Sequence, residues 1–508
     1  MSDYDEPNLS VSLASSYNTR GVDGYAALYT SAQDQRKINS MYEVAENAVT
    51  GKKTLYLKKR PGAQVIVSAL AAASTDIPFL IGGLAGASTS KWVLFRAANG
   101  TDMKVASASA VTTIYAAAAA SEPAYIDSVY VSGAETVVAQ FRRTVAITYR
   151  TFYASAIGSW TEITDADFTA LTHRGKMEHL DGYAFQMATD NYIYNSDLNS
   201  VSSWGATSRV QKQIETDVAA GLAKFGGLIL AFGNETVEVF YNAGNPSGSP
   251  LARRPELAAR IGLAQISGNQ TYGGSPTGKR HYSCIAAKKL FFLGSQSSSD
   301  DSVGLFAFDG SVFEKVSTPF TNKIFVDTNN PQYHVCTVNV FGEEAVAIAL
   351  SLPNAATQRW LMFFPRLNEW FEWNSTYFQP VFNGYFIGIG GAASSLQLTA
   401  FEYDQGWVDG ESTAYTMTHQ FMLPKNKGNA RQCMAWAGVV SDTAGSTSNV
   451  GVSFSDDDYA TFSTERNIDL STTDKRITRC GSYKSRAVRL THSANLDFRP
   501  EQFIARIA

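Results

Sequence analysis

The feature that most limits what this chain can fold into is a repeated pattern: a short apolar strand, a polar turn, and a second strand ending near an aromatic residue. It appears in "KWVLFRAANGTDMKV" from Lys91, "TVVAQFRRTVAITYR" (Thr136 to Arg150) and "GYAFQMATDNYIYNSDLNSVSSW" (Gly182 to Trp204). It recurs in "LILAFGNETVEVFY", "KLFFLGSQSSSDDSVGLFAFDGSVFEKV", "AVAIALSLPNAATQRWLMFFPRLNEWFEW" and "LQLTAFEYDQGWV" from Leu396. Turns such as Thr189-Asp190-Asn191 and Gly233-Asn234 suit antiparallel neighbours. Successive units begin about 45 to 60 residues apart, the scale on which radial four-stranded blades repeat. A sandwich reading would need two or three sandwiches in series, with boundaries the sequence does not show.

The expected fold is therefore all-β: a β-propeller over 65–410, six blades favoured and seven allowed. Residues 1–64 read as an N-terminal arm with platform strands and 411–508 as a C-terminal β platform, the two ends building one module. Helix is expected to be scarce, with "ARRPELAARIG" the best short candidate. The hairpin opening at Gly226 is expected to run into a long insertion rich in Gly, Pro and Arg, ending near Ile266. Composition agrees: aromatics are 12% of the 508 residues and charged residues only 17%, a mixture that suits half-buried pleated surfaces.

The formal net charge of −4 argues against a general nucleic-acid-coating role, which calls for a strongly basic face. The four cysteines, Cys284, Cys336, Cys433 and Cys480, form no C-x-x-C pair and read as buried free thiols. "MSDYDEPNLS" carries no signal-peptide features, and the most apolar window, from Ile66, is broken by Asp76 and Pro78, so no membrane insertion is expected. The six histidines, His173, His179, His281, His334, His419 and His492, show no metal spacing. No phosphate loop, dinucleotide fingerprint or nucleophile elbow is present. No catalytic set, metal or cofactor is expected.

"SDDDYATF" (Ser455 to Phe462) resembles the Asp-box of sialidase-like propellers, with Ser455, Asp457, Thr461 and Phe462 in register and Tyr459 at the glycine position. An acidic Asx-type turn between two strands is the preferred reading of this segment. Glu343, Glu344, Glu369, Glu372 and Asp409 are available carboxylates, but no spacing selects a glycosidase pair among them. Basic clusters at Lys52, Lys53, Lys58, Lys59 and Arg60, and at Lys475, Arg476, Arg479, Lys484, Arg486 and Arg489, read as partner-facing edges ahead of DNA contact.

Several pieces, in order, resemble the packaged-DNA stabilisation proteins, or tail hub (nozzle) proteins, of short-tailed bacteriophages. "INSMYEVAENAVTGKKTLYLKKRPG" looks like the family's opening, ending in Arg60-Pro61-Gly62. "FGNETVEVFYNAGNPSGSPLARR" is similar to its central hairpin, with Glu235, Glu238 and Phe240. "KKLFFLGSQ", with Phe291, Phe292, Leu293 and Gly294, resembles the next element, and "LFAFDGSVFEKVST" the one after. "VSFSDDDYATF" with "RCGSYKSRAVRLTHSA" is like the closing sheet. Tyr459 and the Ala-rich stretch at Ala116 to Ala120 depart from the pattern.

The resemblance implies a structural protein of the virion tail, made in the host cytoplasm and assembled as a hexameric ring. It implies that this ring closes and extends the portal channel, retains packaged DNA, and lets it pass at ejection. Implied partners are portal and adaptor ring proteins, tail fibre or needle proteins, and transient, non-specific contact with double-stranded DNA. Arg253, Arg254 and Arg260 are the candidate subunit or partner contacts. The alternative is a carbohydrate-binding or sialidase-like propeller acting in host receptor recognition.

Overall fold

The computed structural model describes residues 9–13, 37–46, 53–67, 80–85, 92–96, 102–106, 111–116, 121–131, 133–143, 149–155, 159–215, 217–263, 283–296, 303–318, 321–322, 324–325, 335–350, 358–375, 378–382, 385–390, 395–400, 407–409, 413–423, 431–442, 448–457 and 459–507. His281, His334, Lys52 and Ala117 to Ala120 lie outside them.

Four-stranded antiparallel units follow one another along the chain. The first comprises Leu80–Ala85, Trp92–Arg96, Asp102–Ala106 and Val111–Ala116. The second comprises Ser121–Val131, Ala134–Arg143, Tyr149–Ala154 and Thr161–Glu162, and the third His173–Leu180, Tyr183–Ala188, Tyr192–Ser196 and Trp204–Gln211. In the fourth, Ala219–Phe225, Leu228–Gly233, Val237–Asn242 and Leu251–Ala259 pair in order. The fifth splits its first strand into Gly262–Leu263 and Ser283–Ala286, both paired with Lys289–Ser295, then adds Val303–Phe308 and Phe313–Lys315. Val335–Val340, Glu343–Ala349, Gln358–Phe364 and Glu369–Ser375 form the sixth. In the seventh, Phe378–Phe382, Tyr385–Gly390 and Ser395–Ala400 take their outer strand from far upstream, Gln64–Val67. Sequence reasoning favoured six units and allowed seven; the described residues contain these seven.

The first strands touch in succession from unit to unit, the fourth and fifth meeting instead through Leu228–Gly233 and Gly262–Leu263. Phe378–Phe382 returns to Leu80–Ala85, so the units form a closed ring. Each sheet is sandwiched between two others, which is why middle strands bury both faces. Ile229, Leu230, Ala231 and Phe232 are all fully buried, and so are Phe291 and Phe292. Apolar layers alternate with the sheets: Phe185, Ile229 and Phe240 between the third and fourth units, and Phe232, Phe292 and Phe306 between the fourth and fifth. Outer strands at a free sheet edge are less buried, as in Trp204–Gln211, where Trp204 alone of eight residues is buried.

Two expectations are overturned in the fourth unit. The Gly/Pro/Arg-rich stretch is no added arm: after a loop at 243–250 it becomes the unit's outer strand, Leu251–Ala259. The helix candidate in "ARRPELAARIG" is that same strand. Pro255 fits there because an edge strand does not need every amide to donate, and the pairing shifts between Val237 and Val239. The helix α1 (Ala166–Thr169) forms elsewhere, capped by the Asp165 carboxylate accepting from the amides of Asp167 and Phe168.

Strands from both chain ends build the platform. The sixth unit continues across Lys37–Ile38, which runs parallel to Glu369–Ser375 and antiparallel to Met417–Met422. Ala487–His492, Asn449–Ser455 and Arg466–Asp469 follow in the same sheet. A second sheet orders Leu9–Ser12, Pro500–Ile507, Gln432–Ser441 and Arg476–Thr478. One core joins these sheets to the sixth unit, including Leu13, Trp360, Phe421, Phe454 and Phe503.

Tight turns are secured by short side chains. In the hairpin after Phe308, Asp309 Oδ1 accepts from the amides of Ser311 and Val312 and from the Ser311 hydroxyl. These bonds, the Val312 amide first, hold its carboxyl down at about 2. A folded value below the unfolded one (about 4) means the contribution is present above pH 4 and lost as pH falls toward 2. Asp309→Asn is expected to flatten the acid limb of the unfolding profile between pH 4 and 2, read by circular dichroism; an unchanged limb would remove this role.

Candidate functional site

Polar side chains on the first strands converge on a cleft of about 610 Å³ at the ring axis. Asp127 and Ser128 come from the second unit, Lys176, Glu178 and His179 from the third, and Lys224 from the fourth. Thr337 and Asn339 of the sixth unit and the stretch Ser283 to Ile285 of the fifth complete much of the wall. Glu344 and Leu290 stand just beyond the turns from first to second strands.

The charges are arranged, not scattered. Lys176 Nζ lies 2.7 Å from Asp127 Oδ2 and 3.0 Å from Glu178 Oε1. Burial opposes the Lys176 charge, but these two carboxylates outweigh it and hold the ammonium above its ordinary value. Burial raises Glu178 against the pull of Lys176. Lys224 Nζ donates to His179 Nε2 at 3.1 Å. Burial first, then Lys224, depresses His179 to about 4, so the ring is neutral near pH 7. The Tyr130 ring packs 5.6 Å from the His179 ring at the rim.

The Arg-Pro-Gly element lies elsewhere, at the joint between ring and platform. Arg60 is 1% exposed and meets Asp409, itself fully buried, in a two-pronged pair of 2.8 and 2.6 Å. Arg60 Nε donates to Asn39 Oδ1, and the two terminal nitrogens also donate to the carbonyls of Pro61 and Asn374. The guanidinium stacks on Tyr415, 3.7 Å from the ring centre. Asn39, at φ 53°, spends its amide nitrogen on Asn374 Oδ1 and the Thr416 carbonyl, and its oxygen also accepts from the Asn374 amide. Pro61 and Gly62 are buried beside it.

The remaining motif residues build the ring. Phe240, Phe291 and Phe292 are core residues, Leu293 is 6% exposed, and a Cβ on Gly294 would crowd the Phe306 ring. Glu235 is exposed in a turn whose amides, Asn234 to Thr236, all donate to Asp217. Glu238, 1% exposed, accepts from the amides of Gln213 and Ile214 and pairs with Arg253 at 2.7 Å. Of the three arginines expected at a partner contact, Arg253 is thus turned inward. Arg254 is exposed, lying over Tyr241, and Arg260 is exposed and paired with Glu215 at 2.7 Å.

The Asp-box-like segment is a turn between Asn449–Ser455 and Arg466–Asp469. Asp457 accepts from the Ser455 hydroxyl, the Thr461 amide and the Thr461 hydroxyl, and Tyr459 adopts φ 69°, the left-handed conformation for which the box has glycine. Asp458 lies outside the described residues. The carboxylates considered for glycan cleavage are dispersed among structural contacts. Glu343 faces Arg366 at 3.5 Å, Glu369 faces Lys37 at 3.9 Å, Glu372 faces Arg359 at 2.8 Å, and Glu344 accepts from the Ala287 amide. Among the described residues, no group of three His, Cys, Asp or Glu side chains is placed to hold a metal, and no helix is long and apolar enough to cross a membrane.

The cleft residues went unselected in the sequence. For Asp127 in "AYIDSVYV" and Lys224 in "AGLAKF" the signal is a charge inside an otherwise apolar first strand; Lys176, Glu178 and His179 lie in the polar "HRGKMEHL" and lack it.

A closed ring of four-stranded antiparallel sheets defines a β-propeller. Residues 113–358, from the first unit's outer strand into the sixth unit, match the family model described as Phage_stabilise, the bacteriophage P22 Gp10 β-propeller. Over this segment, just under half of the chain, the protein is similar to that family of phage stabilisation proteins. No curated protein matches the chain. Among solved structures, BamB from Moraxella catarrhalis is 12% identical with a TM-score of 0.33, covering 66% of this chain and 92% of its own. The fucose-specific lectin from Aleuria aurantia is 11% identical with a TM-score of 0.34, covering 58% of this chain and 94% of its own. Likenesses this slight do not bear on function.

Proposed function

We propose that the protein is a tail hub or nozzle subunit that closes and extends the portal channel of a short-tailed phage, retains the packaged genome and lets it pass at ejection. The observation that carries this reading is the match of the propeller to the Gp10 family. In it the subunit works as a homo-oligomeric ring, six copies being the expected number, between portal or adaptor proteins and tail fibre or needle proteins. The chemistry of the chain suits a passive part. The formal net charge of −4 suits a conduit for a polyanion, which a strongly basic lining would grip in a salt-dependent way. The five carboxylates named above are each engaged in a structural contact, which supports a non-catalytic role. Arg254 and Arg260 are exposed on the fourth unit, which supports a role for them at a neighbouring subunit or partner.

Deleting the gene from its parent genome is expected to give heads that package and then lose DNA, with a shortened or absent tail tip. Electron microscopy and nuclease-accessible DNA measure this. Full, stable heads with complete tails that fail to adsorb would overturn the hub reading in favour of receptor binding.

A further inference from the structure

We propose that the outer face of the second platform sheet is a contact surface for the sugar-phosphate backbone of a DNA duplex, with Arg431, Arg479 and Lys484 as the counter-charges of its phosphates. Identifying that duplex with a packaged genome rests on the hub reading; the affinity itself does not.

Strand register defines the face. Ala437 pairs with Ala505 and Val439 with Phe503, and these side chains belong to the platform core. The alternate positions therefore point outward: Trp436 with Thr478 and Arg506, Gly438 with Arg476 and Ile504. None of them holds a carboxylate. At one end the strand Ser482–Tyr483 pairs with Gln432 and Cys433, and Arg431 and Lys484 flank that pairing. Cys433, expected to be buried, is exposed there. Arg479 joins the same end, its amide donating to the Ala435 carbonyl.

The charge at that end is not cancelled within the protein. Arg431, Arg479 and Lys484 are exposed and form no ion pair among the described residues. Neighbouring carboxylates are matched by other cations: Asp456 by the buried Arg486 through two bonds of 2.7 Å, Asp474 by Arg476, while Glu465 acts on Arg489. Asp457 remains, held in its own turn by Ser455 and Thr461. Three unpaired cations within about 13 Å of strand thus form a positive patch on a chain whose formal net charge is −4.

The rest of the face decides which polyanion. Thr478 and Ser482 are exposed hydroxyls, and Ser10 and Gln502 add polar groups, all of the kind that bond phosphate oxygens. Trp436, the ring among the outward positions, is 7% exposed beneath Arg476, so an unpaired base has nothing to stack on, and a duplex is favoured over a single strand. An acidic protein would need an apolar anchor at the centre of the contact, whereas the exposed large apolar side chain of this sheet, Val440, lies at the end away from Arg431. A five-stranded face is too broad to enter a groove that admits a helix or a two-stranded ribbon, so the contact reads no bases. So few contacts grip weakly, which lets a duplex slide.

The test is fluorescence anisotropy of a labelled duplex of roughly 20 base pairs titrated with the full chain at about 50 and 200 mM salt. Three phosphate contacts predict that affinity falls about fortyfold over that range and is the same for unrelated sequences. The triple change Arg431→Gln, Arg479→Gln and Lys484→Gln is expected to weaken binding at least about tenfold at the lower salt and to flatten the salt dependence. Lys288→Gln with Arg366→Gln, exposed cations on the ring, is expected to change neither, with circular dichroism confirming the fold of both variants. Should the triple variant fail to fold, the three single substitutions decide, each lowering the salt slope by about 0.9. Absence of duplex binding at the lower salt, binding that survives the substitutions, or an equal loss in the ring pair overturns the proposal. Tighter binding of polyglutamate than of the duplex also overturns it and assigns the face to an acidic protein. The assay contains no phage particles, so its outcome stands apart from that of the gene deletion.

Discussion

Arg60→Leu is expected to destabilise the protein by about 3–5 kcal/mol, read as a lowered midpoint in urea unfolding, because it leaves the buried Asp409 carboxylate without its cation. The loss extends beyond the pair. Asn39 Oδ1 and the carbonyls of Pro61 and Asn374 lose a donor, and Tyr415 loses the group stacked on it. Removing both charges, as in Arg60→Leu with Asp409→Leu, is expected to cost less than the two single losses added, since no lone charge stays buried. A loss below about 1 kcal/mol in Arg60→Leu would show that water reaches this joint, which such closed packing forbids.

The second large effect is steric. Gly262 begins the fifth unit beneath the turn of the fourth, and a Cβ there would sit 1.9 Å from the Asn234 carbonyl carbon and oxygen and 2.2 Å from the Glu235 nitrogen. Backbone cannot swing aside as a side chain can. Gly262→Ala is therefore expected to cost about 3 kcal/mol or more, at the upper end of overpacking effects, measured by the same unfolding experiment. Gly227→Ala is the matched control: its Cβ meets nothing within 4 Å, and the change is expected to stay within about 0.5 kcal/mol of neutral. Equal effects at the two sites would refute the close approach.

What could be read in the sequence follows from where each signal arises. Leu228–Gly233 and Val237–Asn242 were legible because apolar runs flank a Gly-Asn turn, all within a short span. Leu251–Ala259 was not, since an exposed edge strand carries no core pattern and its Ala, Arg, Glu and Leu favour helix when read alone. The first-to-second-strand turn of the fifth unit hides for another reason. Ala287 and Lys288 both take positive φ, 47° and 62°, without the Gly or Asn that marks such turns. Arg60 was visible as part of a motif, yet its partners Asn374 and Asp409 lie more than 300 positions away and no local rule connects them. The cleft is less legible still, since Asp127, the Lys176–Glu178 pair and Lys224 come from three different units and acquire meaning only when the ring brings them together.

The seventh unit sets a timetable for the growing chain. Gln64–Val67 leaves the ribosome early, but its pairing partner, Ser395–Ala400, follows more than 320 residues later, about 20–60 s afterwards at roughly 5–20 residues per second. Until then the ring is an open arc and Gln64–Val67 lacks this ladder partner, leaving unpaired strand edges of the kind on which strands from another chain add. Nascent chains of this protein therefore spend most of their synthesis exposed to mispairing, and polysomes carrying several such arcs are where misassembly would begin.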